Sequence, residues 1–256
     1  MTADVAVPEV EFAGVSKSYA SRAVLDAVDL RIAKGEFVTL IGPSGCGKST
    51  VLKLISGLTA ASEGTIRVDG MTPRNARQTM SYIFQDATLL PWRTVRQNVG
   101  LGLELEGVVT GQREEKTAAL LDLVGLSHVA KAYPRELSGG MRMRVSIARA
   151  LATNPRLLLM DEPFAALDEM ARDRLNEELL RLREEQKWTA VFVTHSVAEA
   201  VFLSTRILVL KPNPGRVHTM LPVDLPWPRT AELRTSPEFE SLIARVSHAL
   251  REALTS

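Results

Sequence analysis

The chain has 256 residues, enough for one substantial hydrophobic core with a smaller subdomain attached. Its composition, with 45% hydrophobic and 24% charged residues, is that of an ordinary globular protein and argues against disorder. With 31 basic and 30 acidic residues the formal net charge is +1, so the chain lacks the positive excess of a dedicated nucleic-acid-binding protein, and we expect no nucleic-acid partner.

Three further features bear on the compartment. Cys46 is the only cysteine, so no intrachain disulfide can form, and an intracellular setting fits. Residues 1–8 have neither the basic start nor the apolar centre of a signal peptide. No apolar run approaches the roughly 18–20 residues that span a bilayer. We therefore expect any role at a membrane to depend on a partner.

Short apolar segments alternate with helical stretches along the chain, which predicts an α/β fold with a largely parallel sheet. The clearest strands are predicted at residues 36–41, 157–160, 190–194 and 207–210. Each is strongly apolar, as expected of strands covered on both faces. Residues 91–152 read mainly as helix, with helices predicted at 116–124 and 138–151, which indicates a helical insertion into the α/β core.

The segment after residue 215 is typical of a linker, because it contains three closely spaced prolines (Pro222, Pro226 and Pro228). Ser236 and Pro237 then predict the start of a helix, with serine as N-cap and proline at the first position. The apolar residues on one face of this helix are Phe239, Leu242, Ile243, Val246 and Leu250. We expect this face to pack on the chain's own core rather than on a partner.

A phosphate-binding loop is predicted where the strand at 36–41 ends. Residues 42–50 fit the pattern G-x-x-x-x-G-K-[ST] between a strand and a helix. The residues expected to contact nucleotide are Gly42, Pro43, Ser44, Gly45, Cys46, Gly47, Lys48, Ser49 and Thr50. The glycines let backbone N–H groups point at phosphate oxygens, and the helix adds its positive N-terminal end. We expect Lys48 to bind the β- and γ-phosphates of ATP, Ser49 to ligate Mg²⁺, and Cys46 to have no redox role.

A second catalytic element follows the strand at 157–160. Two adjacent carboxylates, Asp161 and Glu162, end an apolar strand, where charge is costly unless it is used. Asp161 is expected to hold Mg²⁺ through its water shell, and Glu162 to orient or deprotonate the attacking water. Many strands end in acidic residues, but beside a phosphate loop this pair predicts nucleotide hydrolysis.

A third element opens the helix at 138–151. Ser138, Gly139 and Gly140 form a second anion site at a helix N-terminus. With Leu137 before them they resemble the signature motif of ABC proteins, although Met141 stands where that family usually has glutamine, and its effect is open.

The resemblance covers roughly residues 9–215. It implies a RecA-like P-loop NTPase core with an antiparallel β subdomain and an inserted α-helical subdomain. The implied ATP-binding core comprises residues 9–90 and 153–215, and the helical subdomain comprises residues 91–152. Residues 216–256 are then a C-terminal linker and amphipathic helix, and whether this helix is regulatory stays open.

The same resemblance implies roles for other residues. Tyr19 matches the aromatic residue that stacks on adenine, although it could be an ordinary strand tyrosine. Gln85 matches the glutamine that reaches the metal and the attacking water. His195, which precedes a capping box at residues 196–199, matches the histidine that contacts the γ-phosphate. Residues 165–168 match the loop that couples the two sites of a head-to-tail homodimer, in which the signature of one subunit closes over ATP held by the other.

Residues 85–95, 194–200 and 225–229 resemble subunits of importers for solutes such as nitrate, sulfonate or taurine. The implied partners are integral-membrane permease subunits and, indirectly, an extracytoplasmic solute-binding protein, with the chain at the cytoplasmic face of the membrane. Trp92 could contact the permease or pack inside the helical insertion. The transported substrate and the identity of the permease cannot be read from these residues.

Other function classes are possible. A soluble ABC ATPase in cofactor assembly or another non-transport process is the main alternative. A non-hydrolysing switch is disfavoured because Glu162 and His195 fill both hydrolytic positions, and a kinase or GTPase does not explain the signature motif.

Overall fold

The computed structural model describes residues 7–20 and 22–255, so most of the N-terminal stretch for which no signal peptide is predicted lies outside the described residues. The strands are β1 (Val10–Tyr19), β2 (Arg22–Ile32), β3 (Phe37–Ile41), β4 (Glu63–Val68), β5 (Met80–Ile83), β6 (Leu157–Asp161), β7 (Thr189–Val193), β8 (Arg206–Lys211) and β9 (Arg216–Pro222). The helices are α1 (Lys48–Ile55), α2 (Val95–Val99), α3 (Leu101–Leu105), α4 (Thr110–Leu123), α5 (Gly139–Leu151), α6 (Glu169–Gln186), α7 (Val197–Leu203) and α8 (Pro237–Thr255). Within the described ranges, no helix is both long and apolar enough to cross a membrane.

A six-stranded sheet in the order β5-β6-β7-β3-β8-β9 forms the centre of the molecule. Its strands pair in parallel except β9, which runs antiparallel to β8. Side chains alternate between two cores: Phe37 and Ile41 face one, and Val38 and Leu40 face the other. The four strands predicted from their apolar character are confirmed, and β3, β6 and β7 are buried throughout.

A three-stranded antiparallel sheet, β2-β1-β4, covers one face of the central sheet. Phe12 and Leu30 from this sheet share a core with Val51 and Leu52 of α1. Helix α1 therefore lies between the two sheets, and the β1–β2 hairpin, with Tyr19 paired to Arg22, is held beside the phosphate loop.

The insertion predicted as helical contains α2 to α5, packed around buried residues such as Leu121 and Val145. The loop before α2 is built on Asn98, which is fully buried. The Asn98 amide accepts the N–H of Leu90 at 2.8 Å and donates to the carbonyls of Leu90, Arg93 and Thr94, each at 3.1 Å. Trp92 at the tip of this loop is 70% exposed, so it does not pack inside the helical insertion.

Where the sequence pattern indicates a linker after residue 215, the structure has strand β9. Its residues are only partly buried because β9 lies at the sheet edge, so it lacks the apolar run by which the inner strands are recognised. The C-terminal helix begins at Pro237, and the Ser236 hydroxyl accepts the N–H of Phe239 at 3.2 Å. Phe239 and Val246 are buried against α7 and β8, which confirms that the apolar face packs on the chain's own core.

The segment between β9 and α8 is anchored by Arg229, which is only 5% exposed. Its guanidinium donates to the carbonyls of Phe202 and Ser204 at the C-terminal end of α7, both at 2.8 Å. The same guanidinium lies 4.2 Å from the ring centre of Trp227. A cation at a helix C-terminus is favourable, so this tail segment holds the end of α7.

Candidate active site

The phosphate loop connects β3 to α1 and is shaped by glycines at crowded positions. A Cβ on Gly42 would lie 2.6 Å from the carbonyl oxygen of Leu210. Gly47 has φ +96°, and a Cβ there would lie 2.5 Å from a methyl carbon of Leu25. A side chain at either position would therefore clash with the neighbouring strand residue, Leu210 for Gly42 and Leu25 for Gly47. The predicted strand–loop–helix arrangement is present.

Lys48 and Cys46 have different surroundings within this loop. Lys48 Nζ donates to the carbonyls of Gly42 at 2.8 Å and Pro43 at 3.0 Å, so its charge lies against the loop itself. Cys46 is fully buried in the core, and burial raises the pKa of its thiol. Any contact of Cys46 with nucleotide must therefore come from its backbone, and its thiol is poorly suited to redox chemistry.

Ser49 and Asp161 meet at the start of α1 and the end of β6. The Ser49 hydroxyl donates to Oδ1 of Asp161 at 2.9 Å, and the Tyr82 hydroxyl donates to Oδ2 at 3.3 Å. Burial raises the pKa of the Asp161 carboxyl, while the two hydrogen bonds oppose that effect. The described residues contain no cluster of three or more His, Cys, Asp or Glu that could hold a metal alone. One hydroxyl and one carboxylate suit Mg²⁺, which keeps several waters and uses substrate phosphates as further ligands.

Glu162 and His195 are brought together because they follow neighbouring parallel strands. Asp161 of β6 is in register with Val193 of β7, and the N–H of Glu162 donates to the carbonyl of Val193 at 3.0 Å. His195 Nε2 lies 2.7 Å from Oε1 of Glu162. Glu162 has φ +49°, a left-handed backbone conformation that is uncommon for a residue with a side chain.

An open pocket of about 500 Å³ gathers most of the predicted nucleotide-binding residues. Its lining comprises Tyr19, Arg22, Val24, Ser44, Gly45, Gly47, Lys48, Ser49, Thr50, Glu162 and His195. Tyr19 is 45% exposed, and Lys17 Nζ lies 4.7 Å from its ring centre, so its ring faces solvent rather than the core. Its stacking on adenine stays a prediction.

Other predicted site residues lie outside this lining. Gln85 follows β5 and is exposed, and within the described part of the chain it does not line the pocket. Ser138 caps α5 by accepting the N–H of Met141 at 3.3 Å, and Gly139 and Gly140 begin that helix. None of these signature residues lines the pocket formed by the described residues. The signature therefore lies outside the pocket that Lys48 and Ser49 line.

The prediction of a capping box at residues 196–199 is half right. Ser196 Oγ accepts the N–H of Glu199 at 3.2 Å, as expected of an N-cap. The Glu199 carboxylate, however, accepts a hydrogen bond from Thr194 Oγ1 and pairs with Arg172 instead of returning to the Ser196 backbone. The reciprocal contact is absent because Glu199 is taken up by Thr194 and by Arg172 of α6. A local sequence pattern could not predict a partner on α6.

Three residues of the site were missed by reasoning from the sequence. Tyr82 contacts Asp161, and Arg22 and Val24 line the nucleotide pocket. Tyr82 could have been found from its place on β5, a strand adjacent to β6, whereas Arg22 follows a turn with no recognisable pattern.

Several known proteins are similar to this chain in sequence and fold. The family model described as ABC transporter matches residues 25–165. A Brucella abortus protein designated as ATP-binding is 46% identical over 95% of this chain and 94% of its own. The aliphatic sulfonates import ATP-binding protein SsuB of Bacillus subtilis is 44% identical over 87% of this chain and 85% of its own. The bicarbonate transport ATP-binding protein CmpC of Synechocystis is 45% identical over 89% of this chain and 35% of its own.

A solved dimeric structure of the ATP-binding cassette MJ0796, in a post-hydrolysis state bound to ADP and Pi, matches with a TM-score of 0.78. It is 33% identical and covers 84% of this chain and 99% of that chain. The chain belongs to the ABC transporter family. The predicted fold class and the predicted class of activity, an ATPase, are confirmed.

Proposed function

We propose that this chain is the ATP-hydrolysing subunit of an ABC importer, that it works as a head-to-tail homodimer, and that it drives uptake of a small solute through a separate permease. The observation that carries the proposal is the juxtaposition of Glu162 and His195 beside a complete phosphate loop in one open pocket. Nitrate, sulfonate and taurine are the solute classes we favour, and the relative SsuB is named for sulfonate import. The chain would lie at the cytoplasmic face of the membrane. An extracytoplasmic solute-binding protein would be an indirect partner, acting through the permease.

We propose a task in hydrolysis for seven residues in and around the pocket. Lys48 would exchange the carbonyls of Gly42 and Pro43 for the β- and γ-phosphates. Ser49 and Asp161 would hold Mg²⁺, which neutralises charge on the phosphates. Glu162 would orient and deprotonate water, His195 would position Glu162 and contact the γ-phosphate, and Tyr19 would stack on adenine. Gln85 would approach the metal and the water when the helical subdomain closes.

The place of the signature motif supports the proposed dimer. Ser138 and the N–H groups of Gly139 and Gly140 form an anion site at the start of α5. A Cβ on Gly140 would lie 3.2 Å from Leu167, so this site sits against the loop at residues 165–168 rather than in the chain's own pocket. A second copy can place its signature over the first copy's ATP, and symmetry then gives two composite sites.

The permease surface is proposed on the helical subdomain. Trp92, Leu105 and Val109 are 70%, 80% and 64% exposed, although each is strongly apolar. A groove of about 620 Å³ beside Trp92 is lined by residues that include Arg93, Gln97 and Glu104. An apolar anchor beside a polar groove suits a short helix of a partner, and Asn98 holds the loop that presents Trp92.

The nucleotide part of the proposal is tested with Glu162→Gln. We expect this variant to bind ATP, to accumulate a dimer measured by size-exclusion chromatography with light scattering, and to show turnover about a thousandfold below the parent. Omission of ATP should return it to monomer. Turnover at the parent rate would contradict the role of Glu162.

The transport part is tested by co-purification with an integral-membrane permease from the native host. Trp92→Ala should lose the permease, whereas Leu58→Ala, which removes a 55% exposed leucine elsewhere on the ATPase core, should retain it. Retention of permease by Trp92→Ala would contradict the permease surface proposed at Trp92, and failure of the parent to bring one down would contradict the importer assignment.

A further inference from the structure

One arginine joins the loop at residues 165–168 to the helix that follows His195. Arg172, on α6, donates from Nη2 to the carbonyl oxygen of Leu167 at 3.0 Å. Its Nε lies 3.3 Å from Oε1 of Glu199 on α7, an ion pair rather than an aligned hydrogen bond. A single side chain therefore touches both the loop before α6 and the helix after the catalytic histidine.

The contacts of Glu199 continue to both neighbours of His195. Glu199 is 5% exposed, and its Oε2 accepts a hydrogen bond from Thr194 Oγ1. Thr194 Oγ1 in turn accepts the N–H of Ser196 at 3.0 Å, and Ser196 Oγ accepts the N–H of Glu199 at 3.2 Å. The turn that carries His195 is thus held on each side by a network that ends at Glu199.

The network lies behind the catalytic pair rather than in the nucleotide pocket. Glu162, His195, Arg172 and Glu199 are all among the residues that surround a separate cavity of about 150 Å³. Arg172 and Glu199 therefore lie next to the catalytic pair without lining the nucleotide pocket.

The charges around Glu199 indicate that the network orients the turn that carries His195 more than it stabilises the fold. Burial raises the pKa of the Glu199 carboxyl, while Thr194 and Arg172 act against that rise. Arg234 also faces it from the tail segment and is paired with Asp173 at 3.0 Å. Buried ion pairs contribute little net stability, because desolvation offsets their attraction. Such a pair is better suited to fixing orientation.

We propose that Arg172 and Glu199 are positioning residues. They hold His195, and through it Glu162, in a fixed position relative to the loop at residues 165–168. This inference rests on the proposed function, because in the head-to-tail dimer that loop lies beside the signature that covers the partner's ATP. Closure of the dimer at the loop is then transmitted through Arg172 and Glu199 to the hydrolytic pair. Neither Arg172 nor Glu199 lines the nucleotide pocket.

The test is a double-mutant cycle on ATP hydrolysis by the full chain, using Arg172→Met, Glu199→Gln and the double variant. Each single variant should lower kcat about tenfold, since misplacement of a catalytic group by less than 1 Å has an effect of this order. KM for ATP and the affinity for a fluorescent ATP analogue should stay within about twofold, because the phosphate loop is untouched. The double variant should be no slower than the slower single variant.

Two further variants separate positioning from folding. Arg172→Lys keeps a cation near Glu199 but cannot also reach Leu167, so we expect kcat between those of the parent and Arg172→Met. Arg181→Met is the matched control on α6, because Arg181 pairs only at the surface with Glu178 and Glu185, and it should keep the parent kcat. Thermal unfolding checks each variant, and Glu199→Gln, which is isosteric, carries the test if Arg172→Met does not fold.

The outcomes are distinguishable. A parent kcat in folded Arg172→Met and Glu199→Gln overturns the inference and leaves the proposed function standing. Multiplicative losses in the double variant, or losses confined to KM, also overturn it. A parent protein without ATP hydrolysis overturns the proposed function and the inference with it.

Discussion

Arg229 offers a quantitative test of how the tail segment supports the site. Its guanidinium is buried, has two 2.8 Å hydrogen bonds to the carbonyls of Phe202 and Ser204, and contacts the ring of Trp227. Because these carbonyls end the helix that begins next to His195, loss of the guanidinium leaves them without a cationic donor. Arg229→Met keeps most of the side-chain volume and removes the charge and the donors.

The expected cost is the difference between two opposing terms. Hydrogen bonds from a charged donor contribute about 1.5–3 kcal/mol each, so two of them contribute about 3–6 kcal/mol. Against this, burial lowers the pKa of Arg229 to about 10, a depression that costs the charged form about 3 kcal/mol at neutral pH. The remainder is about 0–3 kcal/mol, so we expect Arg229→Met to lower the free energy of unfolding by about 1.5 kcal/mol.

Urea unfolding at pH 7.5, followed by circular dichroism, measures this difference. Arg216→Met is the matched control, because Arg216 on β9 pairs with Asp26 at the surface, and it should change the free energy of unfolding by less than about 0.5 kcal/mol. An Arg229→Met protein as stable as the parent would show that desolvation cancels the contacts, and the proposed support of α7 would be refuted.

Two further predictions concern the phosphate loop and the His195 turn. Gly47→Ala should lower the free energy of unfolding by about 1–3 kcal/mol and abolish binding of a fluorescent ATP analogue. Gly47 has φ +96°, and the new Cβ would clash with Leu25. Unchanged binding would show that the loop tolerates a side chain at this position. Glu199→Gln should gain stability relative to the parent as pH rises from about 4 to 8. The reason is that the parent carboxyl, whose pKa is raised in the folded state, stabilises the fold below its unfolded pKa and loses that contribution as it ionises. Urea unfolding at each pH measures the difference in unfolding free energy, and a difference that is flat or falls with pH would contradict the direction of the pKa shift.

The catalytic elements could be predicted from the sequence because each is contiguous. The loop at residues 42–50 and the pair Asp161–Glu162 each follow an apolar strand. The sequence therefore predicts both which residues take part and where in the fold they lie. These two features need no knowledge of distant packing. The approach of His195 to Glu162 needs one further fact, which the structure supplies: β6 and β7 are neighbours in the parallel sheet.

What could not be predicted depends on partners far along the chain. Arg172 and Glu199 lie on different helices, and Arg229 binds carbonyls of residues more than twenty positions earlier. Strand β9 was missed because an edge strand is half exposed and lacks an apolar run. The exposure of Trp92 depends on the way Asn98 folds the loop around it, which no local pattern reveals.

The proposed composite site is most directly tested by subunit complementation. Lys48→Ala inactivates the phosphate loop, and Ser138→Arg inactivates the signature, so each variant alone should show little ATP hydrolysis. A mixed dimer contains one intact site, built from the phosphate loop of the Ser138→Arg chain and the signature of the Lys48→Ala chain. An equimolar mixture should therefore recover about one quarter of the parent activity, because half of the dimers are mixed and each has one working site of two. Activity no higher than the sum of the separate variants would contradict the head-to-tail dimer.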